Sequence, residues 1–517
     1  MRKPQILWVD DEIEHLKAHI LFLEGKGYDV NPCNNGRDAL DILEKDDVDI
    51  LFLDENMPGL SGLEVMQIVK EKNPDLPVIM ITKSEEEHIM EEAIGSKISD
   101  YLIKPVKPNQ ILLSIKKHLD IKRIINEKTM QGYMKEFAQI GMKIGETLNF
   151  AEWSEIYKKL VYWELELSDG EKTGMHEILE NQKEEANRAY FKYVENNYQY
   201  MLNATGDDHH VMSHNLMRRK VVPLLDKEEP VFFILMDNLR LDQWNLIRPV
   251  LLEKFNLEED SEYMSILPTT TQYCRNSLFS GLLPSEIEAR FKGKWTNDED
   301  EGGRNLHEEE FVRDLFQRLQ RPEKISYNKI TNLDHGKDLV NKIPNLFKND
   351  FNVIVYNFVD TLSHARTDSK IVRELAEDEA AYRSLTLSWF KHSPLWEALQ
   401  RISEKKARVI ITTDHGSIRV SEPIKVVGDK HTNSNLRYKQ GKNLNYDEKE
   451  VYEVKNPSDI HLPKLHVSSS FIFAPNDGFF AYPNNYNHYV KYYKNTFQHG
   501  GISLEEMIIP FATLVSK

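Results

Sequence analysis

The chain has 517 residues, 40% hydrophobic and 29% charged, with Lys+Arg 66 against Asp+Glu 83 and a formal net charge of −17. At roughly 100–200 residues per domain, that length allows about two to four domains, each with its own core. The acidic balance repels phosphate backbones at long range and argues against sequence-independent DNA binding. Cys33 and Cys274 stand far apart, which excludes a disulfide framework and a cysteine zinc knuckle and suits a reducing compartment. The opening MRKPQILWVDDE turns acidic before a signal-peptide core can form, and no apolar run approaches about 18 residues. A cytoplasmic location without membrane contact is expected.

Residues 1–120 alternate apolar runs with amphipathic stretches. The runs are Gln5–Val9, Asp49–Leu53, Pro77–Ile81 and Asp100–Ile103, and between them lie helix-like segments such as His15–Lys26 and Gly62–Lys72. Alternating strand and helix implies a doubly wound parallel sheet. In such sheets function gathers at the carboxyl ends of the strands. There stand Asp10 and Asp11, then Asp54, then Thr82, then Lys104 before Pro105. These types suit phosphorylation of a carboxylate. Clustered carboxylates give oxygen ligands to Mg²⁺, Asp54 is the nucleophile, and Lys104 and Thr82 meet the phosphoryl oxygens.

Any one strand-end aspartate is commonly just a turn residue; five positions in this order on four strands are not. VDDE, DENMPG, the strand-end Thr82 and YLIKP resemble the receiver domain of response regulators over about 120 residues. The resemblance implies a flavodoxin-like fold, Mg²⁺ on Asp11, Asp54 and Asn56, and Tyr101 as an aromatic that turns inward when Thr82 moves. Receivers carry a small residue after the threonine. Here it is Lys83, and a long-lived phospho-Asp54 is expected.

Proline is absent between Pro108 and Pro223. Apolar residues recur at helical spacing in Ile121, Ile124 and Ile125 and in Trp153, Ile156, Tyr157 and Leu160, and Glu171–Leu202 is long, charged and helical in period. A helical bundle over 121–205 is expected, serving as spacer and signal relay. Buried strands resume from 206 in Val231–Met236, Val353–Phe358, Arg408–Thr412 and Ser469–Ala474, and Asn297–Gly303 reads as an exposed acidic loop.

In 206–517, five segments carry metal-ligand chemistry in a fixed order. VFFILMD ends in Asp237. LPTTTQYCRN places Thr271 before a helix. NVIVYNFVD ends in Asp360, with His364 four residues on. RVIITTD ends in Asp414, followed by His415, and QHGGISLEE holds His499. Carboxylates, imidazoles and one hydroxyl suit a pair of zinc ions, which clamp both oxygens of an in-line phosphoryl displacement. Each piece alone is weak, since an isolated histidine is more often a surface or core residue. The ordered set resembles the alkaline phosphatase superfamily, and MDNLRLDQ, LPTTTQYCRN and HGGISLEEMIIP resemble its PglZ branch.

That resemblance implies an α/β/α domain. One zinc falls on Asp360, His364 and His499; the other falls on Asp237, Asp414, His415 and Thr271, which is also the nucleophile. Arg275 and Asn276, about one helical turn on, are candidates for a non-bridging phosphate oxygen, with helix capping or a surface contact an equal reading. Residues 428–444, GDKHTNSNLRYKQGKNL, form a basic stretch with Lys430, Arg437 and Lys439 as candidates for a polyanionic substrate. A solvated loop is the plain alternative.

The whole chain resembles the PorX-type response regulators of type IX secretion. This implies a sensor histidine kinase partner and control of secretion-related gene expression. No helix-turn-helix with a basic recognition helix is visible after residue 206, so that control is expected to be indirect, through a sigma factor, another regulator or a nucleotide signal, and homodimerisation on phosphorylation is expected. A phosphodiesterase acting on oligonucleotides or cyclic nucleotides is the leading reading. A phosphomonoesterase and a non-catalytic protein-binding platform remain open.

Overall fold

Short, fully buried apolar runs build the first sheet. β1 (Gln5–Val9), β2 (Asp29–Cys33), β3 (Ile50–Asp54), β4 (Val78–Thr82) and β5 (Asp100–Ile103) pair in parallel in the order β2-β1-β3-β4-β5. The computed structural model describes every residue except 1–2, 75, 84–97, 169–173, 205–209, 297–304, 377, 430–431, 465 and 467. The acidic loop, Lys430 and His431 therefore lie outside the described residues, as do the side chains of Ile121, Ile124 and Ile125. β3 and β4 each start and end one residue later than expected. Asp54 and Thr82 thus occupy the last rungs of their strands, facing Ile81 and Ile103 in register. The helix Gly62–Lys72 forms as expected and opens on a capping box, Ser61 with Glu64. Cores lie on both faces of the sheet: Trp8, Phe52 and Ile111 on one, Leu7, Leu53 and Met66 on the other.

The chain divides into two compact units, Met1–Lys135 and Glu136–Lys517. Three long helices, Ile121–Ile144, Phe150–Ser168 and Gly174–Asn203, fill the middle of the sequence. From 136 on, these helices belong to the same compact unit as the C-terminal sheet. Ser154 donates to Glu262, and Asn187 donates to Glu505.

That sheet has six strands in the order β7-β18-β10-β6-β9-β8. They are β6 (Val231–Met236), β7 (Phe255–Met264), β8 (Ile325–Ile330), β9 (Phe351–Tyr356), β10 (Arg408–Thr412) and β18 (Ile508–Ser516). β8, β9, β6 and β10 run parallel, and β18 runs opposite to them, pairing antiparallel with β10 on one side and with the edge strand β7 on the other. Three smaller sheets complete the strands: β11 (Ile418–Arg419) with β17 (Phe497–Gln498), β12 (Glu422–Lys425) with β16 (Gly478–Ala481), and β13 (Tyr438–Lys442) and β14 (Tyr452–Val454) on either side of β15 (Ser469–Phe473). No helix among the described residues is long and apolar enough to cross a membrane.

One strand differs from expectation. β9 stops at Tyr356, and Phe358–Asp368 is a helix, so Asp360 is helical rather than strand-terminal. A helix places residues four apart on one face. The Asp-x-x-x-His spacing is therefore what brings Asp360 and His364 together.

Candidate functional sites

In the N-terminal sheet, Asp10, Asp11 and Asp54 offer oxygens that all lie within 4.8 Å of one another. Asp10 and Asp54 are buried; Asp11 is exposed, as is Asn56 in the turn after β3. Lys104 Nζ lies 2.8 Å from Asp10 and 2.8 Å from Asp54. Burial pushes the Asp54 carboxyl above its ordinary value; Lys104 pulls it down and Asp10 pushes it further up. Burial works against the Lys104 ammonium, yet its bonds to Asp10 and Asp54 outweigh that and raise it. The pocket is thus rich in oxygen donors and short of positive charge, which fits a hard divalent ion. The Thr82 hydroxyl donates to Glu55, a buried residue that the sequence reading passed over although it stands in DENMPG. Tyr101 is half-buried and also hydrogen-bonds Thr82. Lys83 extends to Glu12 at 3.0 Å.

In the C-terminal sheet, Asp237 follows β6, Asp414 and His415 follow β10, and Asp360 and His364 share the helix after β9. His499 follows β17, and Thr271 opens the helix Thr271–Ser280. Six of these residues form two trios, Asp360–His364–His499 and Asp237–Asp414–His415, each with ligand atoms within 4.8 Å. Thr271 Oγ1 joins the second trio, 3.1 Å from His415 Nε2 and 3.4 Å from Asp237 Oδ1.

The donor chemistry fits metal. His415 Nδ1–H donates to Gly416 O at 3.0 Å and His499 Nδ1–H to Thr269 O at 3.2 Å, which leaves each Nε2 as an acceptor facing its trio. Burial lowers the His499 imidazole well below its ordinary value, helped by His415 and His364, so it stands neutral and able to ligate. Burial likewise raises the carboxyls of Asp237 and Asp360, and mutual repulsion among the acids adds to it. Bound cations relieve that repulsion.

Asn238, also passed over, links the trios. It sits at φ 63, its N–H lies 3.4 Å from Asp414 Oδ1, and its Nδ2 lies 3.4 Å from Asp360 Oδ1. Asparagine is among the few residues that tolerate this backbone conformation, so an Asn directly after a strand-end Asp was the available signal. The glycine of the DHG motif has an equally physical cause. A Cβ on Gly416 would stand 2.0 Å from the carbonyl oxygen of Glu505.

Three expectations need correction. Arg275 is fully buried and reaches no open space: its guanidinium bonds Asp237, Asp414 Oδ2 at 2.9 Å, and Glu308 at 3.4 Å. It holds the outer oxygens of the two aspartates and so orients Oδ1 of each toward the trio. Arg437 is buried as well, paired with Glu506 at 2.7 Å and donating to the carbonyl of Gly478. Glu506 in turn accepts from Gly501 N at 2.9 Å, so this pair braces the turn that carries His499. Lys439 is 1% exposed and donates to Asn433 O. Neither Arg437 nor Lys439 lines an exposed basic loop, because each carries a buried acceptor of its own. Asn276 is buried, and its Oδ1 makes no hydrogen bond among the described residues. Burial pushes the Cys274 thiol far above its ordinary value, which leaves it unreactive.

Comparison with known proteins follows the same division. The model of the response regulator receiver domain matches residues 6–116, that of the PorX response regulator linker domain residues 123–202, and that of the BREX system PglZ alkaline phosphatase-like domain residues 216–514. The transcriptional regulatory protein ZraR of Escherichia coli O157:H7 is 31% identical over 136 residues, 26% of this chain and 31% of that protein. The response regulator SaeR of Staphylococcus aureus (strain USA300) is 28% identical over 177 residues, 34% of this chain and 77% of that protein. The chain therefore spans 31% of the length of the first of these relatives. A CheY-like response regulator receiver domain protein from Methanospirillum hungatei JF-1 aligns with 24% of this chain and 98% of its own, at 25% identity and a TM-score of 0.23. With the PglZ match covering more than half of the chain and the three matches following in this order, the protein belongs to the PglZ alkaline phosphatase-like family and has the architecture of a PorX-type response regulator.

Proposed function

We propose that a sensor histidine kinase phosphorylates Asp54 of this protein in the cytoplasm, and that the C-terminal domain is a zinc-dependent phosphodiesterase acting on oligonucleotides or cyclic nucleotides. The observation that carries the output half is the pair of Asp/His trios with the Thr271 hydroxyl 3.1 Å from His415. One zinc would sit on Asp360, His364 and His499, the other on Asp237, Asp414, His415 and Thr271. Zinc supplies Lewis acidity, acidifying a ligated hydroxyl and neutralising charge on phosphoryl oxygens. Thr271 Oγ1 gives up its proton and attacks phosphorus, the bond from phosphorus to the leaving ester oxygen breaks, and that oxygen takes up a proton from solvent. Water then cleaves the phosphothreonine. Arg275 keeps Asp237 and Asp414 in place throughout, and Asn276 faces a phosphate oxygen with its amide.

On the receiver side, Asp11, Asp54 and Asn56 hold Mg²⁺. Phosphorylation draws Thr82 from Glu55 toward the phosphoryl group and lets Tyr101 follow, which favours homodimerisation and changes the output. By sequence the domains divide at about residues 120 and 205, and the middle helices from 136 fold in one unit with the C-terminal sheet. By its PorX-type architecture the protein regulates type IX secretion, acting on transcription through a sigma factor or another regulator.

Zinc-loaded protein is expected to turn over bis-nitrophenyl phosphate at least about ten-fold faster than mono-nitrophenyl phosphate. The reverse preference would make the site a phosphomonoesterase, and no turnover of either would favour a binding platform. Phospho-Asp54 is expected to be long-lived, since the Lys83–Glu12 pair screens the approach to Thr82. Lys83→Ala should shorten its lifetime by about three- to ten-fold, followed by loss of labelled phosphate in the full chain. An unchanged lifetime would remove Lys83 from that role.

A further inference from the structure

The buried face of the helix Gly174–Asn203 carries an asparagine among apolar residues. Leu179, Ala186, Tyr190 and Val194 are buried there, and Asn187 is buried with them at 4% exposure. Asparagine is a poor residue for a helix interior, and a buried amide without partners is costly. Both ends of this amide are engaged by one short segment near the C-terminus. Oδ1 accepts from Leu504 N at 2.8 Å, across 317 residues of sequence, and Nδ2 donates to Glu505 Oε2 at 3.1 Å.

Leu504–Met507 is a single helical turn with Ser503 as its N-cap. The first N–H groups of a helix have no acceptor within it. Ser503 Oγ accepts from Glu506 N at 3.2 Å, and Asn187 supplies an acceptor to Leu504 N from a different helix. From this turn, two routes of hydrogen bonds lead to metal-ligand histidines. Glu506 O accepts from Gly416 N at 3.2 Å, and Gly416 O accepts from His415 Nδ1 at 3.0 Å. Glu506 Oε1 accepts from Gly501 N at 2.9 Å, two residues after His499. The bond made by one ring nitrogen fixes where the other nitrogen of a ligand histidine points. The turn thus sets the Gly416 peptide, and the Gly416 peptide sets the His415 ring.

We propose that Asn187 is a positioning residue for the metal site. By holding Leu504 and Glu505 it fixes the turn on which Gly416 and the His415 imidazole are set, so the zinc site is complete only with this middle helix in place. The inference rests on the zinc reading of the trios and gives the middle helices a part in it beyond spacing. Asn187 itself touches neither metal nor substrate and acts through the turn.

Calorimetric titration of the metal-free full chain with zinc tests this in wild type, Asn187→Asp, Asn187→Leu, and each variant combined with Glu505→Gln. Asn187→Asp keeps an acceptor for Leu504 N and sets an acid against Glu505; Asn187→Leu removes both bonds. Each is expected to weaken zinc binding by about ten- to a hundred-fold, the usual cost of losing a group that orients a metal ligand. Glu505→Gln added to Asn187→Asp reverses donor and acceptor, because the glutamine donates to the aspartate, and should recover most of the loss. Added to Asn187→Leu, it should recover none. Urea midpoints are read on the same proteins. A merely structural Asn187 would lower the midpoint and leave the zinc affinity of the folded protein unmoved. Zinc affinity within about three-fold of wild type in both single variants, or equal recovery on the two backgrounds, would overturn the proposal. Should Asn187→Leu fail to fold, Asn187→Asp with and without Glu505→Gln carries the same decision. A wild type that takes up no zinc sinks the zinc reading and the proposal with it; a wild type and variants that bind zinc equally well sink the proposal alone.

Discussion

Thr271→Val is expected to lower phosphoester turnover by at least about a thousand-fold while the protein stays folded and keeps most of its zinc. The change removes one oxygen and keeps the β-branched shape at the first position of the helix Thr271–Ser280. Six of the seven residues assigned to metal remain, including both complete trios. Thr271 is the hydroxyl placed 3.1 Å from His415 Nε2 and 3.4 Å from Asp237 Oδ1. Its neighbours do not compete: Thr269 Oγ1 donates to Gly501 O, and Thr270 Oγ1 is buried without a hydrogen bond among the described residues. Turnover of bis-nitrophenyl phosphate and zinc content, measured on the same preparation, check the result. A variant that retains zinc and more than about a tenth of wild-type activity would displace Thr271 as the nucleophile. A variant that loses both would assign the hydroxyl to holding metal.

Much of this site was legible because its residues sit where chain topology advertises them. β6 and β10 are apolar on both faces, so an aspartate just past either run stands out, and parallel sheets collect such residues at one end. Asp360 was legible as a residue and not as a conformation. The text YNFVD reads equally as strand or helix over so few positions, and the i,i+4 spacing to His364 settles it only once Asn357 closes the strand. Arg437 and Lys439 show the opposite failure. Their sequence neighbourhood is basic and turn-rich, but the partner that buries Arg437 is Glu506, 69 residues later. Arg275 was near the right place with the wrong contact, because a helix position one turn from Thr271 does not reveal that Asp237 and Asp414 already claim its guanidinium. Composition records charges, and pairing over long separations decides which of them meet solvent.

The same long-range pairing ties the middle helices to the C-terminal sheet, and Lys183→Met is expected to expose it by destabilising the second unit by about 3–5 kcal/mol. Glu164 on the helix Phe150–Ser168 accepts from Lys183 at 2.6 Å and from Arg383. Arg383 lies 3.3 Å from Asp242, which Arg240 also holds, and Arg240 pairs with Glu379. Lys183 further lies 3.8 Å from Glu505, whose carboxylate accepts from Asn187 at 3.1 Å. Removing the ammonium leaves Glu164 and Glu505 short of a cation at sites where their side chains are only 7% and 9% exposed. The pH dependence follows from Glu164. Burial works to raise its carboxyl, but Lys183 and Arg383 outweigh that and hold it far below the ordinary value of 4.5. A carboxyl lowered by folding contributes stability that is complete above its unfolded value and is lost as pH falls through its folded one. The difference between wild type and Lys183→Met should therefore be largest at neutral pH and shrink below about pH 4.5. Glu505, which burial raises despite Lys183, gains a proton first on the way down and relieves part of the penalty in the variant. Urea titration at pH 7 and at about pH 3 measures both. Because Glu505 also supplies the carbonyl packed on Gly416, the middle helices and the C-terminal sheet should unfold in one transition. Two separate transitions, or a loss below about 1 kcal/mol, would reduce the network to a surface-like contribution and the middle helices to a spacer.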